Sequence, residues 1–312
     1  SSFYFSAYDG EYGRELWKSD GTLSGTSIVM DIRSGSGSSS PVGLVAVGST
    51  LYFTADDGTN GRELWKTDGT ISGTILLKDI NNGGGSSYVS SLTPVGNMLY
   101  FSAYDQSNGV ELWKTDGTAL GTMMVNDIRS GSGSSSPSNF AAMGDMLFFR
   151  ADDANYGSEL WKSDGTVAGT VMVKDINPSY NSGSPSELTV AGSTLYFRAN
   201  DGSNGQELWM SDGTDSGTLM VKDIWSGYNS GNPTGITSFG QSIVFQAQDD
   251  YSNRELWISD GTFSGTSMVR DINTPLYGES WPSGFVEFNG EIYFTADNGT
   301  NGFELWKTDG TF

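Results

Sequence analysis

Apolar and polar positions alternate along this chain in short runs that return at a fixed interval. In TLYFTA (50–55), Leu51, Phe53 and Ala55 fall on one side of an extended strand and Tyr52 on the other. The loop DDGTNG follows, and then RELWKT (62–67), with Glu63 and Trp65 opposite Leu64. DGTISGT reads as a turn, because Asp-Gly supplies the positive φ that a tight turn needs. ILLKDI (75–80) is a third strand, and SSLTPVG (90–96), beyond a Gly/Ser-rich loop, is a fourth. No stretch combines helix caps with a helical period, so almost no helix is expected.

The same pattern fills the chain. The ELW glutamates are Glu15, Glu63, Glu111, Glu159, Glu207, Glu255 and Glu304, spaced 48 residues apart and, at the last step, 49. Triplets of the LYF type centre on Tyr4, Tyr52, Tyr100, Phe148, Tyr196, Val244 and Tyr293, and DI pairs begin at Asp31, Asp79, Asp127, Asp175, Asp223 and Asp271. Residues 1–312 therefore read as one tandem-repeat domain. Apolar residues on both strand faces suit a small sheet sandwiched between neighbours, and a four-stranded repeat of this length is the signature of a β-propeller. The predicted fold is all-β, a propeller of four-stranded blades. Seven copies of the aromatic half but six DI strands and six fourth strands favour seven blades, one of them incomplete, shared between the termini or completed by a neighbouring subunit. Six blades with a redundant half-repeat is the alternative.

The pattern ELWxxDGTxxGTxxVxDI resembles the ELWxxDGT tandem-repeat family of large exported or surface-associated bacterial proteins, over nearly all of residues 3–312. The resemblance implies secretion and a repeat fold, and it implies no activity. A Trp in mid-strand of every copy reads as packing between blades, with a sugar-stacking platform as the other reading. The turn aspartates Asp20, Asp68, Asp116, Asp164, Asp212, Asp260 and Asp309 read as acceptors for backbone N–H groups that fix the turn.

Composition narrows the function. Formal charge is −21 with only 16 Lys and Arg, which excludes a nucleic-acid binder and disfavours an anionic membrane surface. There is no Cys and no His, so thiolate chemistry and the commonest general base are missing. No apolar run is long enough to span a membrane. The chain begins at Ser1 with no Met and no leader, which points to a processed product or a piece of a longer chain. Only Asp/Glu pairs remain for catalysis, and they recur in every repeat, whereas an active site breaks symmetry; no enzyme is expected.

Between the LYF and ELW strands an acid recurs as Asp9, Asp57, Asp105, Asp153, Asp201 and Asp249. Closely spaced Asp, Asn and Gly resemble calcium loops, so Ca²⁺ is the one candidate cofactor, although tight hairpins use the same residues. Asn298-Gly299-Thr300 is a lone N-glycosylation sequon, relevant only in a source that glycosylates.

The copies differ most after DI. The first and third loops are identical, DIRSGSGSSSP at 31–41 and 127–137, whereas later ones gain Tyr180, Trp225, Tyr228, Tyr277 and Trp281. These aromatics are candidates for contact with a glycan or a protein partner, or for folding back over the blade edges. The leading expectation is a non-enzymatic extracellular or cell-surface scaffold, structural or adhesive, that self-associates into a layer, matrix or filament or binds another extracellular protein. A lectin-like propeller is the alternative, and an Asp/Glu glycoside hydrolase comes third.

Overall fold

The computed structural model describes residues 2–249, 253–274 and 278–311. Every regular element in it is a strand, and the strands form seven antiparallel sheets in simple up-and-down order. Sheets 2 to 6 (42–78, 90–126, 138–174, 186–222 and 234–270) have four strands each. Sheet 1 (3–30) lacks the first strand and sheet 7 (283–308) lacks the fourth, so each has three. The seven-bladed reading holds, with the shortfall divided between the first and last sheets instead of falling on one. In sheet 2 the strands are Val42–Val47, Thr50–Asp56, Arg62–Thr67 and Ile75–Lys78, close to the runs marked out by the alternation.

The chain forms two compact units, residues 1–138 with 165–167 and residues 139–164 with 168–312. Within each unit, apolar cores lie between consecutive sheets. In the first unit, Phe53, Ala55 and Trp65 of sheet 2 pack against Leu16, Val29 and Ile32 of sheet 1. The opposite face of sheet 2, through Tyr52, Leu64 and Leu77, meets Leu99, Phe101 and Trp113 of sheet 3. In the second unit the same contacts join sheets 4 to 5, 5 to 6 and 6 to 7. The first strands of neighbouring sheets approach each other within each unit. This is the blade packing of a β-propeller, and it explains why neither strand face reads as polar. Leu305 of sheet 7 is 73% exposed, whereas its six equivalents are buried.

The ELWxxDGT segment supplies several joints. Trp65, Trp113, Trp209 and Trp257 are buried between sheets, as expected of packing, and Trp161 is buried too. The turn aspartates accept N–H groups two residues on, as Asp68 Oδ1 does from Thr70 at 2.8 Å, and also take the Thr hydroxyl. The following glycine has positive φ (88° at Gly117), and a methyl built there would sit 2.6 Å from the Tyr52 hydroxyl of the preceding sheet. The lysine after Trp bridges sheets: Lys18, Lys66 and Lys162 donate to the carbonyls of Gly69, Gly117 and Gly213 at 2.7–2.8 Å. A second lysine, before DI, does the same from Lys78 to Thr122 and from Lys222 to Thr266.

The glutamate organises the variable loops. Glu15, Glu63, Glu111, Glu159, Glu207 and Glu255 are fully buried. Each accepts the N–H of the DI isoleucine, at 2.8 Å for Ile224 on Glu207 and 3.0 Å for Ile80 on Glu63. In most copies the same carboxyl also holds the far end of the loop, by the N–H of Ser39 on Glu15, of Gly183 on Glu159 and of Gly231 on Glu207. One side chain therefore stakes both ends of a loop whose tip is free to vary. Glu304 is exposed.

Candidate functional site

The loops after DI and the short loops between second and third strands share one end of the sheets, because both follow strands that run the same way. This loop end is where the repeats differ. The recurring aspartates of the short loops are used locally. Asp9, Asp57, Asp105, Asp153 and Asp201 accept two backbone N–H groups through Oδ1, as Asp57 does from Thr59 and Asn60 at 2.8 Å. Asp249 accepts the N–H of Asn253 at 3.1 Å. Burial raises the Asp57 and Asp201 carboxyls, but the amide bonds together outweigh it and leave both below the usual carboxylate value. Among the described residues no three acidic side chains converge as a metal-holding group. Asn298 follows the aspartates, its Oδ1 taking the N–H groups of Thr300 and Asn301.

The aromatic candidates are spread over successive loops. Tyr180 and Tyr228 are exposed, Trp225 is half-buried, and Tyr277 lies outside the described residues. Trp281 alone of these rings joins a cluster. The Arg254 guanidinium lies over it, 4.6 Å from the ring centre, and Trp281 has a positive φ of 49°. A bulky residue rarely adopts that conformation. The other repeats place Ser40, Tyr88, Ser136, Ser184 and Asn232 there with the same backbone, so Tyr88 and Trp281 are ring-bearing versions of one loop-end position. Gln246 completes the cluster. Its amide nitrogen donates to the Pro282 carbonyl at 2.8 Å, and its oxygen accepts from Arg254 Nη1 at 2.9 Å and from the Thr234 hydroxyl. Arg254 Nη2 donates to Gln248.

In sheet 2, Arg62 occupies the place of Arg254 and donates to the carbonyls of Ser39, Ser40 and Thr54. Position 150 carries Arg in sheet 4, and so does its equivalent 198 in sheet 5. The sequence reading missed these guanidiniums. Their signal was present, since a cation replaces a small neutral residue in some copies and not in others. A cavity of about 330 Å³ opens at the same end between sheets 2 and 3, lined by Lys78, Asp79, Asn81, Asp105, Gln106 and Trp113 among others.

The most perturbed titratable groups lie beneath these same loops. Burial pushes Glu63, Glu159 and Glu255 up to about 7 and Glu207 up to about 8, against the pull of their hydrogen bonds and with a further push from the DI aspartates. Glu15 and Glu111 are raised by the same burial. All six are sealed from solvent, so they serve the loops and cannot meet a substrate.

No protein-family model and no curated protein sequence matches the chain. Its fold is similar to solved structures of peptidases. Against a prolyl endopeptidase, the TM-score is 0.53 at 14% identity, covering 98% of this chain and 48% of the other. Against prolyl oligopeptidase B from Galerina marginata it is 0.53 at 11%, covering 100% and 47%. Against a puromycin-hydrolyzing peptidase from Mycobacterium tuberculosis it is 0.52 at 13%, covering 94% and 47%. The chain spans about half the length of these three structures, and at these identities the likeness is one of fold.

These matches correct the expectation of a non-enzymatic structural or adhesive scaffold, together with its lectin-like and glycoside-hydrolase alternatives. The three structures named above, which share the fold, are peptidases. The uniformity that suggested a scaffold has a physical source that does not depend on function: any propeller must fill the same wedge between every pair of sheets.

Proposed function

We propose that this chain is the propeller module of a peptide-processing hydrolase. It holds an extended peptide at the loop end of its sheets, while the bond-breaking side chains come from outside residues 1–312. The observation that carries this reading is the coverage: 94–100% of the chain aligns with about half of each of three peptidase chains. Two features support it. With neither His nor Cys, the chain has no Ser–His or Cys–His pair of its own. The loop end presents guanidiniums, amides and an exposed Trp281, which suit peptide carbonyls, carboxylates and apolar side chains.

The test uses the purified chain with a library of labelled extended peptides, read by fluorescence anisotropy and by mass spectrometry for cleavage. Saturable binding without cleavage is expected. Cleavage by the chain alone, or binding of no peptide, overturns the reading.

A further inference from the structure

Half-buried cations in this acidic chain are nearly all committed to protein acceptors. The bridging lysines donate to carbonyls of neighbouring sheets, and Arg33, Arg62, Arg129 and Arg254 are partnered. Among the described residues two half-buried guanidiniums differ. Arg150 uses only Nε, toward Ser158 Oγ at 2.8 Å, and Arg198 uses only Nε, toward Ser186 Oγ at 3.2 Å. The terminal nitrogens of both have no protein acceptor.

Among the described residues neither is ion-paired with the acids nearby. Glu187 acts on Arg198 electrostatically, but its Oε2 accepts the Gly235 N–H at 2.9 Å and it forms no ion pair. Asp152, two residues beyond Arg150, already has a partner. A half-buried cation without an ion-pair partner is costly, and burial pulls the Arg198 guanidinium below its ordinary pKa, against the smaller opposing effect of Glu187. The other sheets avoid the cost with Ser6, Thr54, Ser102, Gln246 and Thr295 at this position.

Both arginines occupy the same point of consecutive sheets packed face to face in one unit. Arg198 stands directly opposite Ser186, the first residue of its first strand, at the loop end. Packed sheets lie about 10 Å apart, which sets the spacing of the two strand positions from which the arginines reach out. A peptide extended in the polyproline II form advances about 3.1 Å per residue with three residues per turn, so side chains three residues apart share one face and lie about 9 Å apart. Each guanidinium offers a fork of donors that matches a carboxylate.

We propose that Arg150 and Arg198 form a two-point carboxylate site for an extended acidic peptide with carboxylates three residues apart. The carboxylate chemistry follows from the arginines; the peptide as its source rests on the function proposed above.

The test titrates the purified chain with a labelled peptide bearing two aspartates three residues apart, with its bis-asparagine counterpart, and with suberate, a dicarboxylate of similar span. The diacidic peptide should bind, and Arg150→Gln and Arg198→Gln should each weaken it about tenfold. Arg→Lys variants should fall between. Gln already stands at this position as Gln246, so the melting temperature should hold in both Gln variants. Equal binding of the diacidic and bis-asparagine peptides overturns the carboxylate site and leaves the peptide reading standing. Suberate bound in an arginine-dependent way, with no peptide bound, keeps the carboxylate site and overturns the peptide source. Neither ligand bound overturns both.

Discussion

The carboxyl of Glu207 accepts the backbone N–H of Ile224 at 2.8 Å in a place sealed from solvent, and it holds Gly231 at the other end of the same loop. Glu207 is raised to about 8 by burial, so it enters the fold protonated at neutral pH. A carboxyl raised in the folded state contributes stability that is fully present below its unfolded pKa and is lost as pH rises through the folded value. Glu63, Glu159 and Glu255, raised from 4.5 to about 7, act in the same direction. Each shift of this size corresponds to about 3 kcal/mol. The melting temperature should therefore fall between about pH 5 and about pH 9. The Glu207→Gln variant should be less stable by about 1–2 kcal/mol on the acid side, because its NH₂ cannot accept an amide, and its pH profile should be flatter. A melting temperature that rises across this range would count against the buried-carboxyl account.

Glu207→Ala removes the acceptor for both amides. A loss of about 3 kcal/mol or more is expected, measured by denaturant unfolding. Loosening should be concentrated in residues 224–231, seen as faster amide exchange there than in the corresponding loop of sheet 4.

Lys66 donates to the Gly117 carbonyl at 2.7 Å, 51 residues along the chain. Sheets 5 and 6 place Met210 and Ile258 at this position, so the cleft accepts an apolar chain. Lys66→Met should keep the packing of the stem and lose the charged hydrogen bond, at a cost of about 1–2 kcal/mol. Lys66→Glu should cost more, because it turns a negative group toward a carbonyl. Thermal unfolding of the two variants checks the order.

Asp68 holds the turn of sheet 2 through the Thr70 N–H and hydroxyl. Asp68→Asn keeps an acceptor oxygen and should lower the melting temperature less than Asp68→Ala does. Those hydrogen bonds hold the Asp68 carboxyl below its usual value, so its contribution is present above the unfolded pKa and disappears as pH falls through the folded one. The gap between Asp68→Ala and the parent should therefore close in strong acid, which a melting series at low pH would show.

Much of the fold was legible because it depends on local chemistry repeated many times. The alternation of Leu51, Tyr52 and Phe53 gave two apolar faces, and these faces are what Leu16 of sheet 1 and Phe101 of sheet 3 cover. The turn role of Asp68 follows from residues two apart, and the burial of Trp65 from its place in mid-strand. The tasks of Glu63, Lys66 and Lys78 were not legible. Their partners lie 17, 51 and 44 residues away, and within-sheet periodicity does not say which backbone groups of the loop or the next sheet come into reach. Arg150 and Arg198 escaped for a related reason. Attention to what every copy shares, and to the loops where aromatics vary, passed over a strand position at which only some copies carry a cation.

The central claim is that ELWxxDGT is structure and that recognition belongs to the loop end. Hydrogen–deuterium exchange of the intact chain, with and without a bound peptide from the library, tests it most directly. Protection should appear in the loops after DI and in the adjoining starts of the first strands, near residues 183–187 and 231–235, with the DGT turns at the opposite ends of the sheets unchanged. Protection centred on the turns at 68–74, 116–122 or 212–218, with the loop end unaffected, would contradict it.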